Sequence, residues 1–191
     1  MTDDELAVRA LEVLNGAPYF NVATEGDGQP WNCPVWAARD NELNLYWSSW
    51  IKAVHSENIA RNPRTFLTIF DSTRKRGTNN MRCLYLQCLT VAVEDPFEAG
   101  KAFPLVYPGE AVDLNDFLGA GQKRFYRATP TRAWLNSLSE RELTPSTVKM
   151  RSEVPVALLR MQPNFCLKRS VIDEHLTSCF ASFRLPLASF L

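Results

Sequence analysis

A short segment in the first third of the chain carries residue types suited to holding an anion. From Trp47 to Arg64 it runs WSSWIKAVHSENIARNPR. We expect a helix from about Ser49 to Ala60, following a strand that ends near Trp47. Free amides at a helix start, together with the hydroxyls of Ser48 and Ser49, would suit phosphate oxygens. The residues leave one alternative open, an N-capped amphipathic helix whose histidine is half-buried and hydrogen-bonded.

Other motifs that carry chemistry are missing from the sequence. There is no G-x-G-x-x-G after a strand, no phosphate-binding G-x-x-x-x-G-K-[ST], no H-E-x-x-H and no G-x-S-x-G. Only two histidines are present, His55 and His175, so a Ser-His-Asp or Cys-His hydrolase is not expected. No carboxylate cluster predicts a metal site, and no catalytic residue can be named. We therefore expect a bound cofactor to supply any chemistry.

Composition favours an ordinary globular protein. The 191 residues are 46% hydrophobic and 22% charged, with 21 basic and 21 acidic side chains. This balance predicts no nucleic-acid partner and no membrane surface, and no apolar run reaches the roughly 20 residues of a membrane span. Five cysteines without a C-x-x-C pair indicate thiols in a reducing compartment. The acidic start MTDDELAVRALEVL is not typical of a signal peptide, so we expect a cytoplasmic protein.

Local patterns predict the elements that must position the segment. Thr2 or Asp3 can cap a first helix, Asp27-Gly28 predicts a hairpin, and Pro34 favours an edge or a bulge in the second strand. KRFYRATPTRAWLN predicts two short strands, or one strand bent at Pro130. The order is helix, three strands, helix, two strands, helix, and a last strand or two.

This order predicts a mainly β protein, because short connections favour antiparallel pairing and no regular βαβ unit is present. We expect one domain over residues 1–155, a small barrel with flanking helices. Residues 156–191 show neither helical nor strand periodicity, and we expect them to form an irregular tail.

The segment and its surroundings resemble the pyridoxamine 5'-phosphate oxidase-like proteins, the FMN-binding split barrels. LYWSSWIKAVHSENIARNPRTFLTIFDST resembles the strand–helix–strand segment of that family, and YFNVATEGDGQPWNCPVW its opening hairpin. LYLQCLTVAVEDP and YRATPTRAWLN resemble its long strand and closing strand. The resemblance covers about residues 5–137, and the order and spacing of the motifs carry it.

The resemblance implies a six-stranded antiparallel Greek-key split barrel that forms a homodimer and holds FMN between its subunits. His55 falls where the family usually has a phosphate-binding lysine, and no arginine stands on the second strand. His55→Lys would therefore be expected to tighten FMN binding at pH 8 more than at pH 6. The positions that match cofactor contacts are Trp47, Ser48, Ser49, His55, Asn58, Asn32, Cys33, Arg82 and Cys83.

The function that the resemblance implies is a flavin-dependent oxidoreductase, passing electrons between a nicotinamide donor and a small-molecule acceptor. A match to the substrate-binding C-terminal segment of true pyridoxamine phosphate oxidases is missing. The alternatives are a non-catalytic flavin- or haem-binding module, a deazaflavin-dependent reductase, and a barrel that has lost its cofactor.

Overall fold

A single curled antiparallel sheet forms most of the protein. The computed structural model describes residues 2–70, 83–136 and 151–161. The strands are β1 (Tyr19–Gly26), β2 (Gln29–Trp36), β3 (Ala38–Arg39), β4 (Leu45–Trp50), β5 (Arg64–Phe70), β6 (Cys83–Ala92), β7 (Lys123–Asn136) and β8 (Arg151–Val154). The helices are α1 (Asp3–Gly16), α2 (Val54–Arg61), α3 (Pro96–Val106) and α4 (Val156–Arg160).

The strand order confirms the mainly β class and its barrel-like curl. The strands lie in the order β2-β1-β5-β6-β7-β4-β3, with β8 also paired to β7. Strand β4 precedes the meander β5-β6-β7 in the chain, and β7, the last strand of the meander, pairs with it, so these four strands form a Greek key. The expected count of six strands is wrong, since the described residues form eight. The additional strands, β3 and β8, have two and four residues, too few to show an alternating pattern in the sequence.

Two local signals are confirmed in detail. The side chain of Thr2 accepts a hydrogen bond from the Glu5 amide and the Glu5 side chain accepts one from the Thr2 amide, so a capping box starts α1. Asp27 and Gly28 have φ values of 53° and 76°, as a two-residue type I′ hairpin requires. Short-range chemistry therefore sets both the first helix and the β1–β2 hairpin.

Pro34 and Pro130 lie where the sheet tolerates the loss of a backbone N–H donor. Pro34 is in β2, an edge strand that pairs only with β1. Pro130 lies within β7, which is one continuous strand of 14 residues. The register between β6 and β7 shifts beside Gln87, leaving Thr131 as an extra residue whose hydroxyl donates to the Gln87 carbonyl at 3.0 Å. The bulge thus accommodates Pro130.

Helix α2 begins later than expected, and this correction changes the candidate site. Ser48 and Ser49 lie in β4, paired with Phe125 and Arg124 of β7, and the helix starts at Val54. Its N-cap, Ala53, has no side-chain capping bond. Pairing along β7 extends the strand through both serines, so tertiary contacts override the local capping signal.

The described core consists of two clusters on opposite faces of β4 and β7. The larger one fills the barrel interior, and Trp47 and Tyr126 belong to it. The smaller one packs beneath α3, and Tyr46 and Phe125 belong to it. Since successive strand residues point to opposite faces, neighbouring positions of β4 and β7 serve different clusters.

The first residues of the expected tail are not irregular. Val156–Arg160 form α4, which contacts α1, and the side chain of Leu159 is buried in the larger cluster. The domain boundary after residue 155 stays a prediction, and residues 162–191 lie outside the described chain. In the described segments, no helix is both long and apolar enough to cross a membrane.

Candidate functional site

Helix α2 lies against the inner face of the β1–β2 hairpin. We call this contact the α2 corner and define it by Thr24, Cys33, His55 and Asn58. The carboxamide of Asn58 donates to the Thr24 hydroxyl at 3.1 Å, and both residues are buried. Apolar Ile59 of the same helix is buried in the barrel core. Polar and apolar contacts together therefore fix the orientation of α2.

Two of the residues assigned by the resemblance touch each other at this corner. The Sγ of Cys33 lies 3.2 Å from Nδ1 of His55. Burial raises the pKa of the Cys33 thiol and lowers the pKa of His55, so both groups are neutral near pH 7. A neutral thiol has a proton to donate, and Nδ1 is then its acceptor. The other ring nitrogen, Nε2, is consequently the one that carries the imidazole proton.

A row of aromatic rings runs from His55 into the barrel. The His55 and Tyr126 ring centroids are 6.4 Å apart, and Tyr126 stacks on Trp47 with centroids 5.8 Å apart. Trp47 is fully buried. Nε2 of His55 and Nε1 of Trp47 are buried without a hydrogen-bond partner in the described part of the chain. Because such atoms are rare in native proteins, each calls for an explanation.

A cleft of about 430 Å³ opens on the other side of α2. We call it the α2 cleft. Its lining is mostly apolar and comes from α2, the end of β6 and the start of β7; it includes Ile51, Ser56, Ile59, Thr90, Arg124 and Tyr126.

Ser56 supplies a third unpaired polar atom, at the wall of the α2 cleft. Its residue is 3% exposed, and its Oγ has no hydrogen-bond partner among the described residues. Burial raises the pKa of Tyr126, and an interaction with the Ser56 hydroxyl partly lowers it. The Ser56 hydroxyl is therefore close to Tyr126 but outside the geometry of a well-formed hydrogen bond. Trp47, His55 and Ser56 are thus all neighbours of Tyr126, and of these three only Ser56 lines the cleft.

The positive charge at the α2 cleft is already engaged. Nε of Arg124 donates to the Glu94 carboxylate at 3.2 Å. Its two terminal nitrogens donate to the carbonyls of Gly119, Gly121 and Lys123 at 2.5–2.9 Å. This guanidinium therefore holds the loop before β7 and has little capacity left for an anionic ligand.

The two serines of the predicted anion site point to different faces of β4. The hydroxyl of Ser48 pairs with the Tyr107 hydroxyl at 2.5 Å, on the α3 side. Ser49 lies on the opposite face, the same face as Trp47. Their side chains therefore cannot hold one phosphate together.

The remaining assigned residues are scattered. Asn32 is exposed on the opposite face of β2 from Cys33. Cys83 is buried on the outer face of β6, where burial raises its pKa and Tyr85 and Arg151 lower it. Arg82 lies outside the described residues. Of the predicted contacts that lie within the described residues, the structure brings together Cys33, His55 and Asn58, with Trp47 one ring further in.

Sequence reasoning missed the residues of β6 and β7 that line the α2 cleft. Arg124 and Tyr126 alternate on one strand, so their shared face could have been predicted. Their approach to Ser56 depends on the pairing of β7 with both β6 and β4, which no local pattern encodes.

Several solved structures have the same fold. A heme-binding protein from Mycobacterium smegmatis matches with a TM-score of 0.62 and 13% identity, over 84% of this chain and 61% of that one. A candidate pyridoxamine 5'-phosphate oxidase from Listeria innocua matches with a TM-score of 0.52 and 16% identity, over 68% and 97%. A FAD-binding protein from Mesorhizobium loti matches with a TM-score of 0.52 and 18% identity, over 66% and 91%. No family model and no curated protein matches the sequence.

Proposed function

Because the chain has the split-barrel fold of the pyridoxamine 5'-phosphate oxidase-like proteins, we propose that it binds a flavin, with the ring system in the α2 cleft. One observation carries the proposal. Of the buried polar atoms without partners in the described residues, the Oγ of Ser56 is the one whose residue lines that cleft, beside Tyr126. An unpaired group at the wall of a cleft is the arrangement expected where a ligand completes the hydrogen bonds.

The α2 cleft fits a flavin ring. Its volume of about 430 Å³ is within the usual range for small-molecule sites. Its apolar walls suit a planar aromatic system, and the Ser56 hydroxyl can donate to a ring carbonyl or accept from a ring N–H. Apolar walls also exclude water from the ring.

The α2 corner does not fit the phosphate of FMN. Cys33 and His55 are neutral and bound to each other, and the second nitrogen of His55 is sealed inside the protein. FMN remains the flavin that the resemblance implies, but its phosphate has no built cationic site in the described residues. We therefore derive binding from the ring.

We propose that the bound flavin serves as an oxidoreductase cofactor. When bound, a flavin accepts a hydride from a nicotinamide donor and passes electrons to a small-molecule acceptor. The residues that line the α2 cleft would orient the flavin ring and shield it from water.

We also propose a homodimer in the cytoplasm. Leu89 and Val91 on the outer face of β6 are 49% and 42% exposed, which leaves apolar surface for a second copy to cover. Cys33, Cys83 and Cys88 are free thiols, as expected in a reducing compartment.

The absorbance spectrum of the purified protein tests the proposal. Flavin bands that bleach when NADH or NADPH is added without air are expected, and sedimentation should give twice the chain mass. A colourless protein that binds no added flavin would overturn it. A Soret band would favour a haem-binding module, the second candidate, which rests on the similarity to the heme-binding protein.

A blocking substitution tests the position of the ring. Ala60 is exposed and lines the α2 cleft, so Ala60→Trp should fill it and weaken flavin binding at least about tenfold. Ala111→Trp, at an exposed position away from the cleft, is the matched control and should bind normally. Equal binding by the two variants would exclude the cleft as the ring site.

A further inference from the structure

We propose that this chain recognises a flavin without using its phosphate, so that riboflavin and FMN bind with similar affinity. The inference rests on the proposed function and deepens it by naming the class of flavin accepted. Its basis is the contact between Cys33 and His55, which lies where the resemblance implies a phosphate-binding lysine.

The contact engages the Cys33 thiol and one nitrogen of His55, and burial shields the other nitrogen. Nδ1 of His55 faces the Cys33 sulfur at 3.2 Å, on the side of β2. The imidazole is 8% exposed, and its Nε2 is buried among protein atoms near Tyr126. A phosphate in solvent reaches neither nitrogen unless the helix moves.

Both members of the pair are neutral. Burial raises the pKa of Cys33 and lowers the pKa of His55, and no charged partner is present to reverse either effect in the described residues. A neutral thiol that donates its proton in a hydrogen bond to a neutral imidazole forms a pair without net charge. A dianion at this corner would therefore lose hydration without gaining an ion pair.

Among the described residues, the cations on or beside α2 and at its cleft are either paired or exposed to solvent. Arg61 pairs with Asp27 at 3.0 Å. Arg124 is held by Glu94 and three carbonyls. Lys52 and Arg64 are exposed, and no side-chain partner engages either of them in the described part of the chain, so their charges are solvated and contribute little to binding.

The α2 cleft offers the contrasting environment. Its walls are mostly apolar, and its unpaired hydroxyl on Ser56 suits an uncharged carbonyl or N–H. The affinity for a flavin should therefore come from the ring, which riboflavin and FMN share.

The test compares the two flavins on the full chain. Riboflavin and FMN are titrated separately, and quenching of flavin fluorescence gives each dissociation constant. We expect the two constants to agree within about threefold, and the FMN constant to be insensitive to salt between about 50 mM and about 500 mM. FMN binding more than about tenfold tighter than riboflavin, or weakening steeply with salt, would overturn the inference.

Substitutions test whether the lack of positive charge at the α2 corner is the reason that the two flavins bind equally. Cys33→Arg combined with His55→Lys introduces two cations at the α2 corner, so the affinity for FMN should rise at least about tenfold relative to that for riboflavin. An unchanged ratio would mean that charge at this corner does not govern phosphate recognition. Lys52→Met should leave the wild-type ratio unchanged, and a drop in the FMN affinity alone would assign the phosphate to Lys52. If the double variant does not fold, the salt series on the wild-type protein decides.

The failures are distinguishable. If neither flavin binds, the proposed function is wrong. If both bind and FMN is strongly preferred, the proposed function stands and this inference is wrong.

Discussion

The carboxamide of Asn58 occupies the space that a side chain at position 26 would need. A β-carbon built on Gly26 would lie well inside van der Waals contact with Oδ1 of Asn58. The same carboxamide donates to Thr24 on the same strand. Helix α2 therefore approaches β1 as closely as it does because residue 26 has no side chain.

Gly26→Ala should lower the free energy of unfolding by about 2 kcal/mol or more, since either Asn58 loses its hydrogen bond or the helix shifts. Urea denaturation measures the change. Gly100→Ala, in α3 with open space around the added carbon, is the control and should be neutral or stabilise by about 0.5–1 kcal/mol. If Asn58 is the cause, Gly26→Ala should cost less in an Asn58→Ala background. An unchanged cost there would contradict this explanation.

Burial of His55 makes the stability of the protein depend on pH. The pKa of His55 is lowered in the folded chain, whereas the unfolded chain binds the proton near pH 6.5. As pH falls below about 6.5, the unfolded state gains protons first, so the free energy of unfolding should fall. The groups that face the ring, Cys33 and Tyr126, stay neutral over this range.

Unfolding curves at about pH 5.5 and about pH 7.5 measure this effect, and His55→Gln should lose part of the difference. If the free energy of unfolding of the wild type changed no more between the two pH values than that of His55→Gln, the assignment of this effect to His55 would be contradicted. The same burial revises one expectation from the sequence. Because burial lowers the pKa of His55, the imidazole carries less charge at pH 6 than an ordinary histidine, so the effect of His55→Lys on FMN binding should differ less between pH 6 and pH 8 than the sequence implied.

Ser56→Ala should separate stability from binding. The variant removes a buried hydroxyl without a partner and places alanine inside a helix, so the flavin-free protein should be as stable as wild type or more stable by about 1 kcal/mol. Flavin affinity should fall about fivefold if the hydroxyl contacts the ring.

Thr65→Val is the matched control for Ser56. The Thr65 hydroxyl is buried and paired with Thr90 at 2.7 Å, so its loss should cost about 1–2 kcal/mol. Thermal or urea unfolding distinguishes the two variants. A loss of stability in Ser56→Ala as large as that in Thr65→Val would mean that Ser56 has a partner after all.

The two serines of β4 should respond in opposite ways. Ser48→Ala breaks the bond to Tyr107 and should lower the free energy of unfolding by about 1 kcal/mol, with flavin affinity unchanged. Ser49→Ala should have little effect on stability, and its effect on flavin affinity reports whether that face meets the ligand. Weaker flavin binding by Ser48→Ala would show that our assignment of the faces is wrong.

Predictions from the sequence succeeded where short-range chemistry decides the structure. The Thr2 capping box, the positive φ angles at Asp27 and Gly28, and the edge position of Pro34 all follow from residue types and near neighbours. The resemblance in motif order also predicted the split-barrel fold.

Predictions failed where distant segments meet. Strand β4 continues through Ser48 and Ser49 because β7, some 75 residues later, supplies its partner. The contact between Cys33 and His55 joins residues 22 positions apart on different elements. No periodicity reports such pairings, and the α2 cleft depends on several of them at once.

The position of strand β7 between the two clusters affects how the protein unfolds. Phe125 belongs to the cluster beneath α3, and the next residue, Tyr126, belongs to the barrel interior. Phe125 and Tyr126 are consecutive in β7, so the two clusters share this strand. Loss of packing in one cluster should therefore displace the strand from the other. The two clusters should consequently melt as one cooperative unit, with no stable half-folded form.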